Sequence, residues 1–216
     1  MRVEPDLSFE RRLWRGGCTY IAGLDEAGRG ALAGPVAVGA VILPESARTV
    51  RRAAAPLPGV RDSKQMTLAE REAAAPRIRQ YALAWGVGFA SAEEIDADGI
   101  VAATRLAALR AIHELQLFPD YLLTDFRLEL PELDVAQTAL VKGDAHCLSI
   151  AAASVLAKTA RDALMCVLDS QVPGYQLSRH KGYGTRAHIE ALERIGYSPI
   201  HRKSFSIKNS LQPSDG

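Results

Sequence analysis

Two neighbouring acids follow an apolar run near the beginning of the chain. Asp25 and Glu26 come after residues 20–24, and the segment behind them is rich in glycine. Carboxylates this close to an apolar core cost desolvation and mutual repulsion unless they are protonated, paired with cations or bound to metal. The arginine between two glycines at 28–30 adds a guanidinium and bare backbone amides, which can contact a phosphate or a ribose. A charged functional site and a solvated turn are both open on this pattern alone.

A second strand-like run also ends in a carboxylate. Residues 121–124 are mostly apolar and are followed by Asp125. After a helical crossover this strand can lie parallel to the first one, which would place Asp125 beside Asp25 at one edge of the sheet. Because side chains alternate along a strand, we expect Asp25 to be the central ligand and Glu26 to join it only if the backbone bends. A turn aspartate is the alternative for Asp125.

Two further segments carry basic residues. Lys64 lies in an Asp-Ser-Lys sequence before a helix that begins near Thr67. A solvated lysine in a helix-entry loop is the alternative there. Residues 174–184 mix basic and aromatic side chains, as contact with a sugar-phosphate backbone requires. A solvated loop is again the alternative.

Four segments together resemble a known family. They are DEAGRGALAGPV at 25–36, KGDA at 142–145 followed by SIAAASVLAKTARD at 149–162, HKGYGT at 180–185, and HRKSF at 201–205. This set is similar to the signature of bacterial ribonuclease HII, an endonuclease that cuts at ribonucleotides in duplex DNA. The resemblance covers residues 21–205, nearly the whole chain.

The resemblance implies two-metal phosphodiester hydrolysis with Mg²⁺ or Mn²⁺ as the cofactor, giving 5′-phosphate and 3′-hydroxyl ends. The acids it assigns to catalysis and metal binding are Asp25, Glu26, Asp125 and Asp144. Without the resemblance, the turn around Asp144 would be an ordinary helix-entry loop. Hard divalent cations do prefer such oxygen ligands.

The same resemblance implies contacts with a nucleic-acid substrate, either an RNA/DNA hybrid or duplex DNA that contains ribonucleotides. The backbone of the Gly-Arg-Gly segment would read the ribose 2′-hydroxyl, which distinguishes RNA from DNA. Lys64 would face a phosphate, and Tyr183 would test the nucleotide after the ribonucleotide. Arg202 and Ser204 would contact the nucleic-acid backbone. The residues so assigned are Gly28, Arg29, Gly30, Lys64, Tyr183, Arg202 and Ser204.

The chain departs from the family pattern at two places. Ala31 stands where the family usually has proline, which is expected to loosen the turn. The segment DFRLELP at 125–131 differs from the DGNRLP-like segment of the family, so the loop contacts after Asp125 are open.

The order of strands and helices predicts an α/β chain with a ribonuclease H-like fold. We expect a mixed five-stranded sheet flanked by helices, with strands at 20–25, 36–43, 81–90, 121–125 and 135–141. Thr67 with Glu70 and Ser91 with Glu94 match capping boxes, and Pro76 should kink or restart its helix. The expected divisions are an N-terminal polar segment with a short helix (1–17), a catalytic core (18–170), a C-terminal helical extension that binds substrate (171–205) and a disordered tail (206–216).

Bulk properties limit the alternatives. The 216 residues carry a net charge of only +1, so a site for a polyanion must be a local patch. Three cysteines without a paired spacing argue against a disulfide framework or a zinc site. The N-terminus lacks a signal-peptide pattern and no apolar run has membrane-spanning length, so we expect a cytoplasmic monomer that binds no membrane. Two rival functions are a non-catalytic nucleic-acid-binding module and a metal-dependent phosphatase of small esters.

Overall fold

Five strands form one mixed sheet in a computed structural model that describes residues 4–49, 57–125 and 128–206. The order across the sheet is β3-β2-β1-β4-β5. The first three strands pair in antiparallel fashion, whereas β4 and β5 run parallel to β1. The predicted mixed five-stranded sheet is confirmed, with strands β1 Ile21–Ala27, β2 Val36–Ile42, β3 Ala84–Ala90, β4 Tyr121–Asp125 and β5 Ala136–Leu140.

Helices cover both faces of this sheet. One apolar core lies between the sheet and the helices α1, α2 and α5, and a second lies between the sheet and α3. A third, smaller core joins α5 to α6 and α7 in the C-terminal extension. The helices are α1 Ser8–Arg15, α2 Leu68–Tyr81, α3 Ala92–Glu114, α4 Gly143–His146, α5 Leu148–Gln171, α6 Leu177–His180 and α7 Arg186–Ile195.

Strand β1 is longer than expected at its C-terminal end, where the two neighbouring acids lie. The sequence predicts that it stops near Asp25, but pairing with β2 continues through Glu26 to Ala27. The parallel ladder with β4 does end earlier, at the pair Leu24–Thr124. Both acids therefore lie in the last part of β1, which is paired with β2 only.

Local sequence signals set most helix ends. Capping boxes at Thr67 and Ser91 begin α2 and α3 as predicted. Helix α2 does not restart at Pro76 but continues across this residue to Tyr81, so that alternative of the prediction is wrong. Burial of neighbouring side chains such as Ile78 against the core outweighs the loss of one backbone hydrogen bond. Since Tyr81 ends α2, strand β3 begins three residues later than predicted.

The polar N-terminal segment is tied to the core. Glu10 of α1 is buried, and its Oε1 accepts hydrogen bonds from the Ser149 amide at 2.8 Å and from Cys147 Sγ at 3.2 Å. Burial raises the pKa of Glu10. The Asp6 backbone also bonds to residues on either side of Cys147. Helix α1 thus fixes the beginning of α5.

The predicted tail over 206–216 lies, from residue 207 onward, outside the described residues. Within the described part of the chain, none of the helices combines the length and the apolar character needed to cross a membrane.

Two glycines allow α5 to lie directly on the strands. A Cβ atom at Gly39 of β2 would be 2.3 Å from the Ala153 carbonyl oxygen, and one at Gly23 of β1 would be 2.3 Å from the Ser149 backbone. Gly39 is also the partner of Asp25 across the β1–β2 ladder. The distance between α5 and the sheet is therefore set by residues that flank the acids.

We expect Gly39→Ala to lower the free energy of unfolding by about 1–3 kcal/mol, because its new methyl group meets backbone that cannot rotate away. Urea denaturation measures this change. Gly30→Ala is the matched control, since a Cβ there has no neighbour within 4 Å. Equal stability of the two variants would contradict the close contact.

Candidate active site

Three carboxyl groups meet at the end of β1. One carboxylate oxygen from each of Asp25, Glu26 and Asp125 lies within 4.8 Å of the others. Asp25 is buried, and the other two are half-buried. The parallel arrangement of β1 and β4 thus brings Asp125 to Asp25, as the sequence predicts.

Glu26 joins this cluster without the bend that we expected to be necessary. Its register with β2 stays regular, Glu26 pairing with Val38 directly after Asp25 with Gly39. Because β4 no longer pairs with β1 at this position, the long Glu26 side chain is not confined by a neighbouring strand. Its Oε2 atom is buried and has no hydrogen-bond partner among the described residues.

Burial and mutual repulsion raise the pKa of two of these acids, Asp25 and Glu26. Burial, then the charge of Glu26, raises the pKa of Asp25 well above its usual range. Burial also raises the pKa of Glu26, while Arg29 and Lys64 oppose that shift. Carboxyl groups with raised pKa values ionise more readily when a positive charge lies next to them. Three close oxygen donors, one of them an unpartnered buried atom, fit a hard divalent cation.

The fourth predicted acid, Asp144, lies beside the cluster but outside the group of three whose oxygens come within 4.8 Å of one another. Lys142 adopts a left-handed conformation after β5, and Asp144 follows it in the short helix α4. Burial raises the pKa of Asp144 to about 6, and the charges of Asp62 and Asp125 add to the shift. The Gly143 amide donates to Asp125 Oδ1 at 3.0 Å, which fixes α4 against the end of β4.

A groove of about 390 Å³ opens next to the cluster. It contains five of the predicted substrate residues and adds Lys158, to which the sequence assigned no role. The only feature of the sequence that could have indicated a role for Lys158 is its place as a basic residue on the polar side of an alanine-rich helix. The lining residues are Glu26, Ala27, Gly28, Arg29, Gly30, Ser63, Lys64, Lys158 and Tyr183.

Lys64 is held at the groove by a turn of 3-10 helix at Ser63–Gln65. The Asp62 side chain accepts the Lys64 amide at 2.9 Å, and Ser63 Oγ is 2.8 Å from Ser154 Oγ of α5. The charges of Asp25 and Asp144 raise the pKa of Lys64 against the effect of burial. Its ammonium group therefore compensates the acid cluster.

A second lysine and an aromatic ring line the opposite part of the groove. Lys158 Nζ forms an ion pair with Asp162 at 2.8 Å and lies 5.3 Å from the centre of the Tyr183 ring. Arg71 contacts the other oxygen of Asp162 at 3.2 Å. The ring of Tyr183 is thus placed over fixed positive charge.

Neither of the two C-terminal residues predicted to contact substrate lines the groove. The burial of Arg202 corrects that expectation for this residue. Arg202 is only 1% exposed, and its guanidinium donates to backbone carbonyls at Gly28, Arg29 and Gly34. Ser204 donates through its amide and hydroxyl groups to Asp96 at the beginning of α3. Both residues fasten the C-terminal segment to the core. A basic residue in a motif looks the same in sequence whether it faces a phosphate or a carbonyl.

Three histidines form a hydrogen-bonded and stacked chain behind Tyr183. The His188 ring stacks on His180 at 4.4 Å, and its Nε2 is 3.0 Å from His201 Nε2. His188 Nδ1 lies 3.0 Å from the Tyr183 carbonyl oxygen, which can only accept, so that nitrogen carries the proton. His188 Nε2 then accepts from His201, whose Nδ1 accepts from Ser198. The chain is complete only when these rings are neutral.

The same architecture occurs in solved structures. Ribonuclease H2 from Pyrococcus horikoshii OT3 superimposes with a TM-score of 0.70 at 23% identity, over 88% of this chain and 95% of that one. Bst-RNase HIII in complex with Mn²⁺ gives 0.61 at 21% identity, over 89% and 68%. This likeness, together with the topology of the sheet, places the chain in the ribonuclease H-like fold class.

The sequence narrows this class to one family. The family model for ribonuclease HII matches residues 22–208. A ribonuclease HII from Dehalococcoides mccartyi is 47% identical over 207 residues, which are 96% of this chain and 95% of that protein. The chain belongs to the ribonuclease HII family and is a metal-dependent endoribonuclease.

The histidine chain predicts a loss of stability in acid. Burial lowers the pKa of all three rings, that of His201 to about 4. Between pH 6.5 and about 4 these rings therefore bind more protons in the unfolded chain than in the folded one, so their contribution to the free energy of unfolding falls as the pH falls. The raised pKa of Asp144 contributes with the opposite sign. Urea denaturation at several pH values measures this slope.

His201→Gln should flatten that slope relative to the unaltered chain, because it removes one titrating ring. His113→Gln is the control, since His113 is exposed on α3 and lies outside the histidine chain. Identical slopes for the two variants would contradict a role of these rings in acid sensitivity.

Proposed function

We propose that the chain hydrolyses the phosphodiester on the 5′ side of ribonucleotides, both in RNA/DNA hybrids and at single ribonucleotides embedded in duplex DNA. The observation that carries this proposal is the meeting of the acid cluster with a groove lined by backbone and basic groups. The products would be a 5′-phosphate and a 3′-hydroxyl, and the cellular role would be removal of ribonucleotides from DNA.

The acids Asp25, Glu26 and Asp125, with Asp144 beside them, would hold two divalent cations, either Mg²⁺ or Mn²⁺. When bound, such ions activate a water molecule and stabilise the oxygen that leaves the phosphorus. The chain itself supplies the unpartnered Glu26 oxygen, and it supplies Lys64 as a cation beside the acids. The Asp125–Gly143 hydrogen bond would keep α4, and Asp144 with it, against the end of β4.

Substrate recognition would use the other side of the groove. The backbone of Gly28, Arg29 and Gly30 would contact the ribose 2′-hydroxyl, and Lys64 and Lys158 would contact phosphates. The Tyr183 ring would rest against the sugar of the following nucleotide. We expect the chain to act as a monomer. Action in the cytoplasm remains our expectation.

Asp125→Asn should lower the cleavage rate at a single ribonucleotide by about 100-fold or more, because it removes one anionic ligand without changing shape. An asparagine oxygen can still accept the Gly143 amide, so thermal unfolding should change little. Gel-mapped cleavage of a duplex with one ribonucleotide, with Mg²⁺, Mn²⁺ or a chelator, measures the effect.

Asp98→Asn is the control for this experiment, since Asp98 is exposed on α3 and should leave cleavage unchanged. All-DNA duplexes should stay intact with every protein and metal. Full activity of Asp125→Asn would remove this residue from the site. Binding without any cleavage by the unaltered chain would instead support the non-catalytic alternative.

Tyr183→Ala should impair cleavage at an embedded ribonucleotide about tenfold more than cleavage of a long hybrid, because only the first substrate has deoxyribose after the cut. Tyr183→Phe is the matched control, since it keeps the ring beside Lys158 and should retain most activity. Initial rates on the two duplexes give the ratio. An equal loss on both would argue against a role at the junction.

A further inference from the structure

Arg202 is bonded to the loop that would read the ribose. We call residues 28–35 the glycine loop. The Arg202 guanidinium donates from Nη2 to the Gly28 carbonyl at 2.8 Å, from Nη1 to the Arg29 carbonyl at 2.8 Å and from Nε to the Gly34 carbonyl at 3.0 Å. Its planar fork therefore fixes three peptide groups of one loop.

Arg161 of α5 holds the remainder of this loop. Its guanidinium donates to the carbonyls of Pro35 at 2.8 Å, Ala33 at 3.1 Å and Lys181 at 2.9 Å. Gly28 packs directly on it, because a Cβ at this glycine would lie 1.8 Å from Arg161 Nε. Gly28 also has φ +83°, a backbone conformation that favours glycine, so the shape of the loop itself requires glycine at this position.

These bonds determine where two amide groups point. In a trans peptide the N–H lies opposite to the C=O of the same unit. The Gly28 and Arg29 carbonyls face Arg202, so the amides of Arg29 and Gly30 face away from it. Both residues line the groove, and no acceptor among the described residues takes either amide. By contrast, the Leu32 amide donates to Gly182, within the fold.

The two guanidiniums also carry charge beneath the loop. Arg161 is fully buried and Arg202 is 1% exposed, and within the described chain neither forms an ion pair with a carboxylate. Burial lowers the pKa of Arg202 to about 9, which leaves it protonated at neutral pH. Backbone carbonyls solvate both cations, so the positive ends of those peptide dipoles point outward.

We propose that Arg202, with Arg161 behind it, is a positioning residue that presents the Arg29 and Gly30 amides as a fixed pair of donors for the ribose 2′-oxygen and its phosphate. This inference rests on the proposed function, because it concerns how the same groove recognises a ribonucleotide. It replaces the direct backbone contact that the sequence suggested for Arg202.

The test compares binding of two duplexes that differ in one 2′-hydroxyl. Fluorescence anisotropy would measure the affinity of Asp125→Asn, which does not cut, for a DNA duplex with a single ribonucleotide and for the all-DNA duplex. Adding Arg202→Lys keeps the buried charge but loses the fork. We expect the preference for the ribonucleotide to fall about tenfold, with affinity for all-DNA nearly unchanged.

Arg194→Lys in the same background is the matched control, because its guanidinium donates to the Gly174 carbonyl outside the groove. It should keep the full preference. An unchanged preference in a folded Arg202→Lys protein overturns the inference and leaves the proposed function intact. Equal binding of both duplexes by the Asp125→Asn parent overturns ribonucleotide recognition itself, and the inference with it.

A second variant and a second measurement test the inference if the Arg202→Lys protein does not fold. Arg161→Lys removes the matching support at Ala33 and Pro35 and should reduce the same preference. If neither lysine variant folds, amide exchange in the unaltered free chain decides. A preformed loop requires slow exchange at Leu32 and Gly34, whose amides donate to Gly182 and Ile200. Exchange there as fast as in an unstructured peptide overturns the inference.

Discussion

Repulsion among carboxylates in a place with little water is the constraint on which this structure depends. Asp25, Glu26 and Asp125 converge within 4.8 Å, and burial raises the pKa of the first two. An arrangement of this kind opposes folding unless positive charge is near. The charges of Arg29 and Lys64 oppose the raised pKa of Glu26, and both residues line the groove. Compensation of the acids and attraction of a polyanion are therefore served by the same cations.

Helix α5 connects the parts that surround this cluster. Its early residues contact β1 and β2 where glycine replaces a side chain, and Ser154 holds the turn that carries Lys64. One turn later Lys158 reaches the groove, and Arg161 follows at the glycine loop. The alanine-rich sequence is thus required by close approach to the strands, while the polar residues between the alanines align three separate segments.

The sequence was sufficient where the determining contacts are local or periodic. Strand patterns placed Asp25 and Asp125, and capping boxes placed the beginning of α2 and α3. It was insufficient where distant parts of the chain decide the outcome. Pro76 stays helical because its neighbours are buried against the core, and Arg202 faces carbonyls that lie 168 to 174 positions earlier. When a distant segment buries a side chain, the sequence around that side chain does not indicate it.

The bond between Glu10 and Ser149 has a consequence for the order in which the molecule can form. Glu10 leaves the ribosome before its partner, which follows 139 positions later. During synthesis the first helix therefore has no docking surface, and the start of α5 has no acceptor until the two meet. Contacts of this span are formed late and slow folding. During synthesis from the N-terminus, α1 therefore cannot dock until the beginning of α5 has been made.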